Sequence, residues 1–69
     1  MKRANHVSPN DLGTRVSFQF ELPNGYLSEV VGTLEAYDHP AETYLVRTKA
    51  GSLVRVPRRG VLFGKTVTT

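Results

Sequence analysis

The sequence predicts an all-β domain of five short antiparallel strands, joined in order and curled into one small barrel. Three observations carry that prediction. Residues Arg15 to Leu22 alternate strictly, with Val16, Phe18, Phe20 and Leu22 on one side and Arg15, Ser17, Gln19 and Glu21 on the other. A period of two marks a half-buried strand, whereas a helix would scatter these side chains around its circumference. Two further apolar alternations follow loops that end in glycine, Pro23-Asn24-Gly25 and Lys49-Ala50-Gly51, as hairpins do. No stretch has the 3.6-residue period of an amphipathic helix, and no segment repeats.

Residues 1–10 are polar, basic and aperiodic, which reads as a flexible tail ahead of a domain at 11–69. Within the tail, Ser8-Pro9-Asn10-Asp11 has turn chemistry and suits a single helical turn with Ser8 as cap.

The first strand runs from Arg15 to Leu22 and leads into Pro23-Asn24-Gly25. A two-residue Asn-Gly turn is the usual hairpin link, but it would set Phe20 opposite Glu29 and turn glutamates inward. A three-residue loop with Gly25 left-handed sets Phe18 opposite Val30 and Val16 opposite Gly32. Glu29, Val31, Thr33 and Glu35 then stay outside, so this register is the predicted one. The second strand, about Leu27 to Tyr37, carries Val30, Gly32, Leu34 and Ala36 inward, with Gly32 marking a bend.

A five-residue loop, Asp38 to Glu42, would set Ala36 opposite Tyr44 and Leu34 opposite Val46. The third strand is Thr43 to Thr48. Lys49-Ala50-Gly51, read as a second three-residue loop, pairs Val46 with Val54 and Tyr44 with Val56, and the fourth strand is Leu53 to Val56. Pro57-Arg58-Arg59-Gly60 breaks the pattern as a single 3₁₀ turn. Val61 to Val67 closes the meander, with Val61 and Phe63 inward. A run of this kind hides its edges by curling, and the architecture that fits is an SH3-like or Sm-like small barrel. Its predicted core is Val16, Phe18, Phe20, Val30, Leu34, Tyr44, Val46, Val54, Val56, Val61 and Phe63.

Composition limits the function. A chain of 69 residues is one domain and buries only about 60% of its unfolded surface. With no cysteine it has neither disulfide nor thiolate zinc site to help, and nothing indicates an oxidising compartment. No run approaches the roughly 20 apolar residues of a membrane span. A cytoplasmic protein without membrane contact is expected. A barrel this small fills its interior with its own side chains, so no enzyme activity, small-molecule substrate or cofactor is expected. Asp38, His39 and Glu42 are close together, but a solvated turn accounts for them better than a metal site, which needs three or four converging ligands. The hydroxyl residues lack the neighbouring base and orienting group of a nucleophilic site.

Charge is the one feature with functional content. The net +3 hides a split: every acidic residue lies between Asp11 and Glu42, where six carboxylates face one Arg. From Thr43 onward there is no carboxylate but six basic residues, Arg47, Lys49, Arg55, Arg58, Arg59 and Lys65. In the predicted register Arg47 and Arg55 share the outer face of the third and fourth strands with Leu45 and Leu53. Two uses follow. Leu45 and Leu53, with Val31 and rimmed by arginines, form a surface for a protein partner or for self-association. Alternatively Arg47, Arg55, Arg58, Arg59 and Lys65 grip the phosphates of a nucleic acid, although few aromatic rings remain for stacking bases. The plain alternative is that these are solubilising charges, partly neutralised by Glu35 where the acidic and basic halves meet. That neutralisation narrows the basic surface to Arg55, Arg58, Arg59 and Lys65.

Four stretches, Leu12-Gly13-Thr14-Arg15-Val16, Leu22-Pro23-Asn24-Gly25, Val31-Gly32-Thr33-Leu34 and Gly51-Ser52-Leu53-Val54-Arg55-Val56-Pro57, together with Val61 and Lys65, carry a family resemblance. Over about residues 12 to 67 the chain resembles the small SH3-like domain that precedes the catalytic domain in some actinobacterial GNAT-type acetyltransferases. The resemblance implies the fold and an accessory role. It implies no acetyl transfer, because the catalytic domain and its acetyl-CoA-binding segment are absent from this chain.

Overall fold

The computed structural model describes residues 4–67. It contains six strands and one short turn of 3₁₀ helix: β1 (Ala4–Asn5), β2 (Arg15–Glu21), β3 (Leu27–Asp38), β4 (Thr43–Thr48), β5 (Leu53–Pro57), the turn Arg58–Gly60, and β6 (Val61–Thr66). They form one curled sheet in the order β1-β6-β2-β3-β4-β5, so β1 and β5 are its edges and the sheet is not closed. All pairings are antiparallel except β1 with β6, which is parallel.

Both hairpins take the predicted three-residue loops. Phe18 faces Val30 and Val16 faces Gly32 across β2–β3, while Val46 faces Val54 and Tyr44 faces Val56 across β4–β5. The two loops close identically. Gly25 N–H donates to the Leu22 carbonyl and Gly51 N–H to the Thr48 carbonyl, each at 2.9 Å. Both glycines are left-handed, at φ 89° and 92°, a conformation that costs an ordinary L-residue about 1–2 kcal/mol.

Two β-bulges shift what the alternation predicts. In β3 the register slips between Leu34 and Ala36, so Leu34 still faces Val46, but Tyr37 and not Ala36 faces Tyr44. The loop that follows shortens to His39–Glu42, because Asp38 already pairs with Thr43. In β6 the register slips opposite Gln19 and Phe20: Val61 pairs with Phe20, Phe63 pairs with Gln19, and Gly64 faces Phe18. The predicted inward position of Phe63 is therefore corrected. The bulge turns Phe63 to the outer face, where it is 38% exposed, and puts Gly64 over the core. A Cβ on Gly64 would lie 2.9 Å from the Phe18 ring, so the glycine makes room for the ring.

Of the residues read as a tail, 1–3 lie outside the described residues; β1 pairs with β6, and Val7 is buried in one core cluster with Val16, Phe18, Phe20, Val30, Leu34, Tyr44, Val46, Val56 and Val61. Val54, expected in the core, is half-buried and packs against it. Ser8 to Asp11 closes as a hydrogen-bonded turn, with the Asp11 amide on the Ser8 carbonyl at 3.0 Å and the Ser8 amide on the Asp11 carboxylate at 2.8 Å. The core is centred on Phe18 and Tyr44, whose rings stand 4.8 Å apart. Burying a large apolar side chain of this kind contributes about 1.5–3 kcal/mol.

Candidate functional site

The residues singled out from charge lie on β4, β5, the 3₁₀ turn and β6. Pairing of Leu45 with Arg55 and of Arg47 with Leu53 puts those four on adjacent strands. Arg58 and Arg59 follow in the turn. Lys65 is apart from them, opposite Ser17 on β6.

Three of these arginines meet carboxylates across the join between the acidic and basic halves. Arg47 grips Glu35 with two bonds, Nε to Oε2 at 2.9 Å and Nη2 to Oε1 at 3.1 Å. Its Nη1 donates to the Gly51 carbonyl at 2.9 Å, which ties β3 to the second hairpin loop. The bond from Arg47 holds the Glu35 carboxyl below its usual value. Glu35 is the β3 bulge residue, outside the pairing ladder, whereas an unbroken register would align it with Leu45. Arg55 lies 3.5 Å from Asp38 and Arg59 3.8 Å from Glu42. Pairs this exposed contribute little to stability, but they neutralise much of the basic surface.

Arg58 sits in different surroundings. Its charge is favoured chiefly by the neighbouring Tyr37 side chain. Tyr37 stacks edge-on to His39 at 4.7 Å and to Tyr44 at 5.0 Å. The Arg58 amide donates to the Glu42 carbonyl at 2.9 Å, so the β3–β4 loop and the 3₁₀ turn form one end of the sheet. Glu42 holds a left-handed backbone, φ 49°.

A second region lies on the outer face of β6, β2 and β3. The registers place Phe63, Gln19 and Glu29 in one row, Lys65, Ser17 and Val31 in the next, and Glu21 beside Leu27. An open groove of about 330 Å³ runs here, lined by Gln19, Phe20, Leu27, Ser28, Glu29 and Leu62. Leu27 is 69% exposed and the adjacent Tyr26 72% exposed. Apart from Val31 and Lys65, sequence reasoning does not single out this surface. The signal was present in two adjacent apolar pairs, Tyr26-Leu27 and Leu62-Phe63, because in a strict alternation one member of each pair must face outward.

Among the described residues, no three of His, Cys, Asp and Glu converge as metal ligands. Among the same residues no buried side-chain nitrogen or oxygen lacks a hydrogen-bond partner, and no helix is long and apolar enough to cross a membrane.

Comparison with known proteins agrees with the fold. No curated protein and no solved structure matches the chain. Residues 10–65 match the family model described as the Rv0428c N-terminal Sm-like domain. That match spans most of the chain and coincides with the strands from β2 to β6, and so the protein belongs to the Rv0428c N-terminal Sm-like domain family.

Proposed function

We propose that this domain is a non-enzymatic accessory module that holds a partner protein against the outer face of β6, β2 and β3. The groove there carries the reading: Leu27 and Leu62 line it beside the core residue Phe20, and the exposed Phe63 lies on the same outer face. Apolar side chains gathered on one face and rimmed by polar groups favour a contact surface over plain solubility. Leu45, Arg47, Leu53 and Arg55, on β4 and β5, flank it as a second, more polar contact area. The partner we favour is a GNAT-type acetyltransferase catalytic domain. The sequence resemblance alone supports that choice. Calorimetric titration with such a domain, stripped of its own N-terminal module, tests it. Saturable binding that disappears in the Leu27→Glu variant is expected. Absence of heat, or equal binding by the variant, overturns the proposal.

One observation favours a second reading, a nucleic-acid contact. Arg58 adjoins the Tyr37–His39 ring pair at one end of the sheet, where His39 is exposed and Tyr37 half-buried, and a cation beside an accessible ring suits stacked bases. Three of the other arginines are matched by carboxylates, so few charges remain for phosphates. Titration with single- and double-stranded nucleic acid at rising salt decides it. This reading requires binding that weakens with salt and is lost in Arg58→Ala. No binding at low salt removes it.

A further inference from the structure

Of the six carboxylates, four have partners within the described chain. Asp11 accepts the Ser8 amide, and Glu35, Asp38 and Glu42 meet arginines. The remaining two, Glu21 and Glu29, make no ion pair or hydrogen bond among the described residues. Glu29 forms part of the groove wall; Glu21 lines a neighbouring hollow with Arg59 and stands opposite the groove residue Leu27 on the outer face. Among the described residues, the two carboxylates without a partner are thus one in the wall of the apolar groove and one across from its Leu27.

We infer that the groove takes a protein segment presenting a large apolar side chain flanked by lysine or arginine. The inference rests on the docking surface proposed above and specifies what docks. An apolar side chain from the partner covers Leu27 and Leu62 and expels water from the groove. Expelling water beside Glu21 and Glu29 raises the cost of leaving them unpaired, which a flanking cation offsets and a flanking carboxylate worsens. Selectivity for basic segments follows from charge complementarity, while most of the affinity comes from apolar contact. Additional apolar surface beyond the groove, at Phe63 and Val31, suits an extended segment better than a small molecule.

Selection from a displayed random-peptide library tests this. The full chain serves as bait, and the Leu27→Glu variant as counter-selection. The expected winners carry leucine or an aromatic residue within a few positions of lysine or arginine. In anisotropy titrations their affinity for the Glu21→Gln/Glu29→Gln variant should fall about 3–10-fold, and shifts should appear at the amides of Gln19, Leu27 and Leu62. Groove-dependent peptides without basic residues, or with affinity unchanged in the double variant, overturn the inference but leave the docking surface standing. Failure to enrich any groove-dependent peptide overturns both. Concentration-dependent shifts at these amides without peptide would assign the groove to a second copy and equally overturn the inference.

Discussion

The phenol of Tyr44 donates a hydrogen bond to the carbonyl of Val7 at 3.0 Å, across 37 residues of sequence. It also accepts one from Asn5 Nδ2 at 3.2 Å, while Asn5 Oδ1 receives the Val7 amide at 3.0 Å. A fully buried tyrosine is thereby satisfied by the segment ahead of the first long strand, and Val7 covers the core at the same point.

Tyr44→Phe keeps the ring and removes both bonds, leaving the Val7 carbonyl without its partner. The expected loss is about 1–2 kcal/mol in urea unfolding, with the m-value unchanged. Removing residues 1–7 should cost more, since it also strips Val7 from the core. Stability unchanged by either would mean that the N-terminal segment does not hold this place in solution.

Gly32 and Gly51 are glycines for different reasons. A Cβ on Gly32 would collide with the Arg47 carbonyl, which can yield only by opening the β3–β4 ladder. Gly51 has open space around its Cα but a left-handed backbone, which asparagine tolerates. Gly32→Ala should therefore cost about 2 kcal/mol or more. Gly51→Asn should stay within about 0.5 kcal/mol. Thermal melts of the two variants check the order.

Glu35 gives the fold an acid-sensitive contact. Its carboxylate form is favoured in the folded state by the bond from Arg47. This contribution is fully present above the ordinary carboxylate value of 4.5 and is lost as pH falls through the lowered folded value. Carbon-detected titration should place the Glu35 midpoint below the ordinary carboxylate value, and Arg47→Ala should abolish the difference. A Glu35 midpoint at the ordinary value would deny the pairing.

The β6 bulge is checked by two phenylalanines. Phe63 lies on the outer face and Phe18 is fully buried. Phe18→Ala should cost about 3–5 kcal/mol, enough to threaten so small a fold. Phe63→Ala should cost below about 1 kcal/mol and act on partner binding instead. Comparable losses would put Phe63 back inside.

Much of the fold was legible in residue order because its information is local. The alternation of Arg15 to Glu21, and the need to keep Glu29 and Glu35 out of the core, select one hairpin register among the alternatives. The same logic at Lys49-Ala50-Gly51 selects the second. The neutralising contact between Arg47 and Glu35 was also readable, since it follows from hairpin order and charge.

By itself, then, the sequence determined the class, the four strands of the two hairpins, the 3₁₀ break and the meeting of the acidic with the basic half. Tertiary structure alone decided the two bulges, the outward turn of Phe63, the groove beside it and the docking of Val7. The reason is physical. A bulge adds one residue to a strand without altering the period on either side, so pairing decides where it falls. Val7 sits in a polar stretch with no periodic signal. Its burial arises from contacts with residues as distant as Tyr44 and from a parallel pairing with β6, which exist only once the sheet has curled.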